Sequence, residues 1–123
     1  MAMRKHYIVL ILSLLATQSA MADLKDIAVL RLLDKVTAQP RTIEITVGET
    51  FAFKSLDIRV DRCDKTPPED KPESGAFLKI TEIRNDTNTS IFEGWMFASN
   101  PSINSLEHAV YDVWVVGCKS FAK

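Results

Sequence analysis

The sequence has no G-x-S-x-G elbow, no C-x-x-C pair, no D-x-D-x-D-G loop and no basic block. Each absence removes a class of function. Without the elbow there is no recognised frame for a nucleophilic serine. Without C-x-x-C nothing local lowers a thiol pKa for redox exchange. A metal centre needs three or four converging ligands. The chain has only two histidines, His6 and His108, and its acidic residues lack calcium-loop spacing. We therefore expect no metal and no cofactor. The lack of a basic run leaves no electrostatic case for nucleic acid.

Long apolar runs are equally scarce. Residues 8–16 form one, preceded by Arg4, Lys5 and His6 and followed by Ala20-Met21-Ala22. That run is about half of the roughly 20 residues a membrane span needs. Basic start, short apolar run and A-x-A site together read as a secretory signal over residues 1–22, cleaved after Ala22 rather than retained as an anchor. No cysteine follows the cleavage site, so a lipid-anchored lipoprotein is not expected. The remaining residues 23–123 form one domain, with 13 basic against 16 acidic side chains and a net charge of −3. No further membrane span is expected. The predicted location is periplasmic.

The chain has two cysteines, Cys63 and Cys118. In an exported chain an even count favours one structural disulfide over a redox-active pair. Closing a loop of 55 residues would be worth roughly 4 kcal/mol on the chain-entropy model.

What the sequence has in quantity is strand pattern. Residues 28–35 satisfy neither the helical nor the strand period cleanly; the β-like remainder of the chain favours strand. In residues 42–47, Ile43, Ile45 and Val47 alternate with polar neighbours, and residues 50–53 follow after Gly48-Glu49. A hairpin between these two is expected. Residues 56–63 alternate through Leu56, Ile58 and Val60, but Cys63 falls out of phase. Either a bulge lies near Asp61-Arg62 or the cysteine points off the core. Residues 64–75, with three prolines, form an exposed loop. Residues 76–84 form a strand, and residues 85–89 a turn whose two Asn-x-Ser/Thr tripeptides mainly confirm exposure. Residues 91–98 and 110–118 are apolar at nearly every position and are expected to pair as a C-terminal hairpin across the polar turn 99–105. The fold class is all-β: a small antiparallel sandwich or barrel of about seven short strands.

Two constellations bear on function. His108 with Glu107 or Asp112 could work as an acid–base group in a small hydrolase, with Ser99, Ser102 or Ser105 as a conceivable nucleophile. A structural role for Glu107 and His108 at the end of the hairpin is the competing reading, and the better one. Trp95, Phe97, Tyr111 and Trp114 form the aromatic group. Strands apolar on both faces need cover on both, supplied by the domain itself or by a second protein. Trp95 or Trp114 exposed in a groove would instead suit a carbohydrate or lipid. Pro67-Pro68 is a weaker candidate contact for another module. The favoured reading is a non-catalytic binding or interaction domain of the cell envelope, its partner another envelope protein.

The run Gly94-Trp95-Met96-Phe97-Ala98-Ser99, with Pro101, Leu106-Glu107-His108, Val110-Tyr111-Asp112-Val113-Trp114 and Cys118, resembles the uncharacterised exported proteins of domain-of-unknown-function family 2155. Leu33-Asp34-Lys35, Thr37, Val47-Gly48, Cys63, Pro67-Pro68-Glu69 and Ala76-Phe77 match earlier landmarks of that family. The chain departs at Ala109, where the family carries proline after the histidine, which loosens that turn. The resemblance implies a periplasmic protein of a Gram-negative bacterium with its two cysteines paired, and implies no activity.

Overall fold

Two antiparallel sheets face each other across one apolar core in the computed structural model, which describes residues 23–101, 104–106 and 108–121. The strands are β1 (Asp23–Leu24), β2 (Ile27–Asp34), β3 (Gln39–Thr46), β4 (Thr50–Phe53), β5 (Leu56–Lys65), β6 (Ser74–Arg84), β7 (Thr87–Phe97) and β8 (Tyr111–Lys119). The first sheet runs β5-β6-β7, with β1 and β4 sharing the free side of β5; the second runs β3-β2-β8. No helix occurs among the described residues. The expected sandwich of about seven strands is present, with β1 as a two-residue addition. The proposed signal segment lies outside the described residues.

Strand period explains the core. Ala28, Leu30 and Leu32 of β2, Leu56, Ile58 and Val60 of β5, and Ala76, Leu78 and Ile80 of β6 are all essentially inaccessible. Burying a leucine or isoleucine fully is worth about 1.5–3 kcal/mol, so these positions fix which face of each strand turns inward. β2 lies between β3 and β8, and Ile27, Val29 and Leu33 on its other face are half-buried. Apolar residues on both faces are why this stretch shows no clean period.

The out-of-phase cysteine is resolved by a bulge. Val60 pairs with Leu78 and Arg62 with Phe77, leaving Asp61 as the extra residue. The inserted residue restores phase, and Cys63 returns to the core. Its bond to Cys118 joins β5 of one sheet to β8 of the other, with Cα atoms 5.8 Å apart. The bridge therefore clamps the two sheets together near the C-terminal ends of β5 and β8.

Both expected hairpins at the crossings fail. β3 pairs with β2 and β4 with β5, so Gly48-Glu49 carries the chain from one sheet to the other. Gly48 supplies the required φ of 92°, and its N–H donates to Val60 O at 2.7 Å. Likewise β7 pairs with β6 and β8 with β2, in different sheets, so β7 and β8 form no C-terminal hairpin. Alternation cannot tell a tight turn within a sheet from a tight crossing between sheets. Each strand satisfied its inward face in a different sheet, and so the neighbours in sequence parted.

The true hairpins lie elsewhere. β2 and β3 are joined by a turn in which Asp34 Oδ1 accepts from Val36 N at 2.9 Å. β4 and β5 are joined at Lys54-Ser55. β6 and β7 turn at Asn85-Asp86, both with positive φ (49° and 63°), as a right-twisted two-residue hairpin requires. The predicted turn 85–89 is thus only two residues long, and strand resumes at Thr87.

Candidate binding site

On β6 and β7 the residues between the buried ones face outward. Phe77 stands opposite Trp95 and Gly75 opposite Phe97, while Met96 between them turns into the core. Phe77 meets Trp95 edge to face at 5.7 Å, and Trp95 stacks beside Phe97 at 6.4 Å with planes only 13° apart. Gly75 is what lets the last ring lie down: a Cβ there would stand 3.0 Å from Phe97 Cδ1 and Cε1. The three rings are half-buried. The other end of the same face is charged, with Arg59, Asp61, Lys79 and Glu93 in mutual ion pairs. Arg59 donates to Asp61 at 2.7 Å, and this bond, with Lys79 nearby, holds the Asp61 carboxyl below its usual range despite partial burial.

A hollow of about 300 Å³ opens beside the rings, walled by Trp95 and Phe97 on one side, Asp64, Lys65, Thr66 and Glu73 on the other, and Gly75 at the base. Its polar wall is pre-arranged. Arg62 Nε donates to both oxygens of Asp64, at 3.0 and 3.1 Å. Glu73 Oε1 accepts from Ser74 N at 3.0 Å and Ser99 N at 3.2 Å, and Oε2 accepts from the Ser99 hydroxyl. The Ser99 hydroxyl is the main reason the Glu73 carboxyl sits below its usual range; partial burial opposes it, and the two amides and Lys71 add to it. Thr66 Oγ1 donates to Lys71 O at 3.0 Å and accepts from Glu73 N at 2.9 Å. The proline loop is thereby closed on itself at its base. Asn104 Nδ2 donates to Trp95 O at 2.9 Å, so the crossing chain covers the edge of β7 where Trp95 sits.

The four aromatic residues singled out from sequence do not form one group. Trp95 and Phe97 share the hollow. Trp114 faces outward from the other sheet, since Val113 and Val115 beside it are buried; it lines a second depression of about 330 Å³ with Pro101, Leu106 and Asp112. Tyr111 closes the end of the sandwich, edge-on to Phe53 at 5.5 Å and stacked on His108 at 5.0 Å. Phe77, Lys65 and Glu73 were missed by sequence reasoning. Phe77 carried one usable signal, a large ring on the outward phase of its strand; Glu73 and Lys65 carried none.

His108 is placed for structure. Its side chain is 10% exposed, and Nε2 meets Glu82 Oε2. Nδ1 accepts from Val110 N at 3.0 Å and Tyr111 N at 3.2 Å, so the ring carries its proton on Nε2 and donates it to Glu82. Asp112 pairs instead with Lys35 at 3.1 Å, and Glu107 and Ser102 lie outside the described residues. With both ring nitrogens engaged, nothing in the arrangement supports the hydrolase reading. No set of three metal-ligating side chains occurs among the described residues.

Residues 28–118 match a family described as "Uncharacterized protein conserved in bacteria (DUF2155)". The chain belongs to DUF2155. Within the matched span lie both cysteines, all four aromatic residues above and the entire hollow. A relative is the uncharacterized protein RP359 of Rickettsia prowazekii (strain Madrid E), 30% identical over 87 residues, which are 70% of this chain and 56% of the relative. The DUF2155 chain thus spans just over half the length of that relative. No solved structure matches.

Proposed function

We propose that this protein is an exported, non-catalytic binding domain of the bacterial cell envelope, working in the periplasm and docking another envelope component through the outer face of β6 and β7. One observation carries the reading: three aromatic rings cluster outside the core, beside a hollow whose polar wall is already ordered. Aromatic side chains held rigid before contact bind at low entropic cost. His108 serves the scaffold, which favours binding over acid–base chemistry. The signal-like residues 1–22 and the disulfide suit an oxidising compartment outside the cytoplasm. The partner expected from the chain alone is an envelope protein.

Fractionation of expressing cells tests this. The expected result is processed protein in the periplasm that co-sediments with the envelope, loses that association on Trp95→Ala and keeps it on Trp114→Ala. Wild-type protein that washes free of the envelope as readily as Trp95→Ala would overturn the reading.

A further inference from the structure

We infer that the hollow beside Trp95 and Phe97 is a saccharide site, taking one or two sugar rings of an envelope glycan; the inference rests on the binding-domain reading above. A pyranose presents a flat, weakly positive C–H face and a rim of hydroxyls. The hollow presents the counterpart of each. Trp95 and Phe97 stack with centroids 6.4 Å apart and planes within 13° of parallel, so the pair presents an aromatic face, and the face of an aromatic ring is its negative part.

The opposite wall holds Asp64, Glu73, Thr66 and Lys65, groups that accept from and donate to hydroxyls. Asp64 is oriented by Arg62, and Glu73 by Ser99 and Ser74, so little side-chain ordering remains to oppose binding. Two carboxylates are offset by Lys65 and Arg62. That near-balance favours a neutral polyhydroxylated ligand over a polyanion or polycation. At about 300 Å³ the hollow lies at the small end of ligand pockets, roughly 300–1,000 Å³, which suits one or two rings rather than a long segment. Gly75 completes the site by leaving room for Phe97, whose Cδ1 and Cε1 a Cβ there would meet at 3.0 Å.

The test uses the oxidised mature chain carrying Trp114→Phe, which leaves Trp95 as the single tryptophan reporter. It is titrated with β-1,4-linked N-acetylglucosamine tetramer, representing wall glycan, and separately with deacylated lipopolysaccharide core oligosaccharide. A saturable shift in emission with either one is expected, and the arm that responds names the source of the sugar. In the otherwise native chain, Trp95→Ala and Gly75→Val, followed by saturation-transfer NMR, should bind about tenfold more weakly or worse. Their circular dichroism and disulfide should be unchanged. No response to either oligosaccharide at millimolar concentration, or binding that survives Trp95→Ala, would overturn the saccharide assignment. So would a photo-reactive amino acid at position 77 that traps a polypeptide rather than a glycan in cells, although envelope association would then still stand.

Discussion

His108 and Glu82 fasten the two sheets to each other. Nε2 of the histidine, on the crossing connection that leads into β8, meets Oε2 of a glutamate near the end of β6. Lys35 Nζ, at the turn after β2, donates to the carbonyl of His108 at 2.9 Å. One residue is therefore held by side chain to one sheet and by backbone to the other.

Removing that imidazole should destabilise the fold without affecting binding. His108→Ala leaves the amides of Val110 and Tyr111 without their acceptor and Glu82 Oε2 without its donor, Oε1 keeping its pair with Arg84. The cost should be about 1–3 kcal/mol, the range for stranded polar groups. Urea denaturation followed by tryptophan emission measures it. Stability equal to wild type would mean that the contact contributes nothing.

The bridge between Cys63 and Cys118 joins the two sheets and closes a loop of 55 residues. Reduction should remove roughly 4 kcal/mol. At about 4–8 °C per kcal/mol for a domain of this size, the melting temperature should fall by well over 10 °C. Calorimetry with and without reductant gives the answer, and an unchanged melt would refute it.

Deleting Asp61 should leave that bridge intact. The bulge exists because this residue is unpaired, so removing it gives an unbroken alternation in which Cys63 keeps its inward phase opposite Ala76. No free thiol after periplasmic expression, quantified with a thiol reagent, is the expected result. Free thiols in the deletion variant would show that the bulge itself is needed to bring Cys63 to Cys118.

Acid should loosen the loop beside the hollow. Because the Glu73 carboxyl is depressed in the folded state, it binds fewer protons there than in the unfolded chain. Its contribution is complete above the ordinary glutamate value of about 4.3 and disappears as pH falls through the lower folded value. Ser99→Ala removes the main cause, so the Glu73 titration, followed by carboxyl-carbon NMR, should move upward. An unmoved titration would show that the hydroxyl does not set it.

Local alternation was enough to place the strands and their buried faces, because a residue every second position needs no knowledge of its neighbours across the sheet. It located Leu56, Ile58, Val60, Leu78 and Ile80 in the core, and even the fault near Asp61, since a cysteine in the wrong phase has few remedies. The aromatic residues of β7 were visible as a group for the same reason. Their separation from Tyr111 and Trp114 was not, because it depends on β7 and β8 joining different sheets.

The sequence by itself thus determined an all-β chain, the phase of the strands that alternate cleanly and the residues available for a disulfide. Only the tertiary structure decided which strands pair, that His108 meets Glu82 rather than Asp112, and that Glu73 and Asp64 stand across a hollow from Trp95. The physical reason is range. Alternation is set by the pleat of one strand, whereas pairing and convergence are set by the total burial of two sheets packed together, and no short stretch of sequence contains that sum.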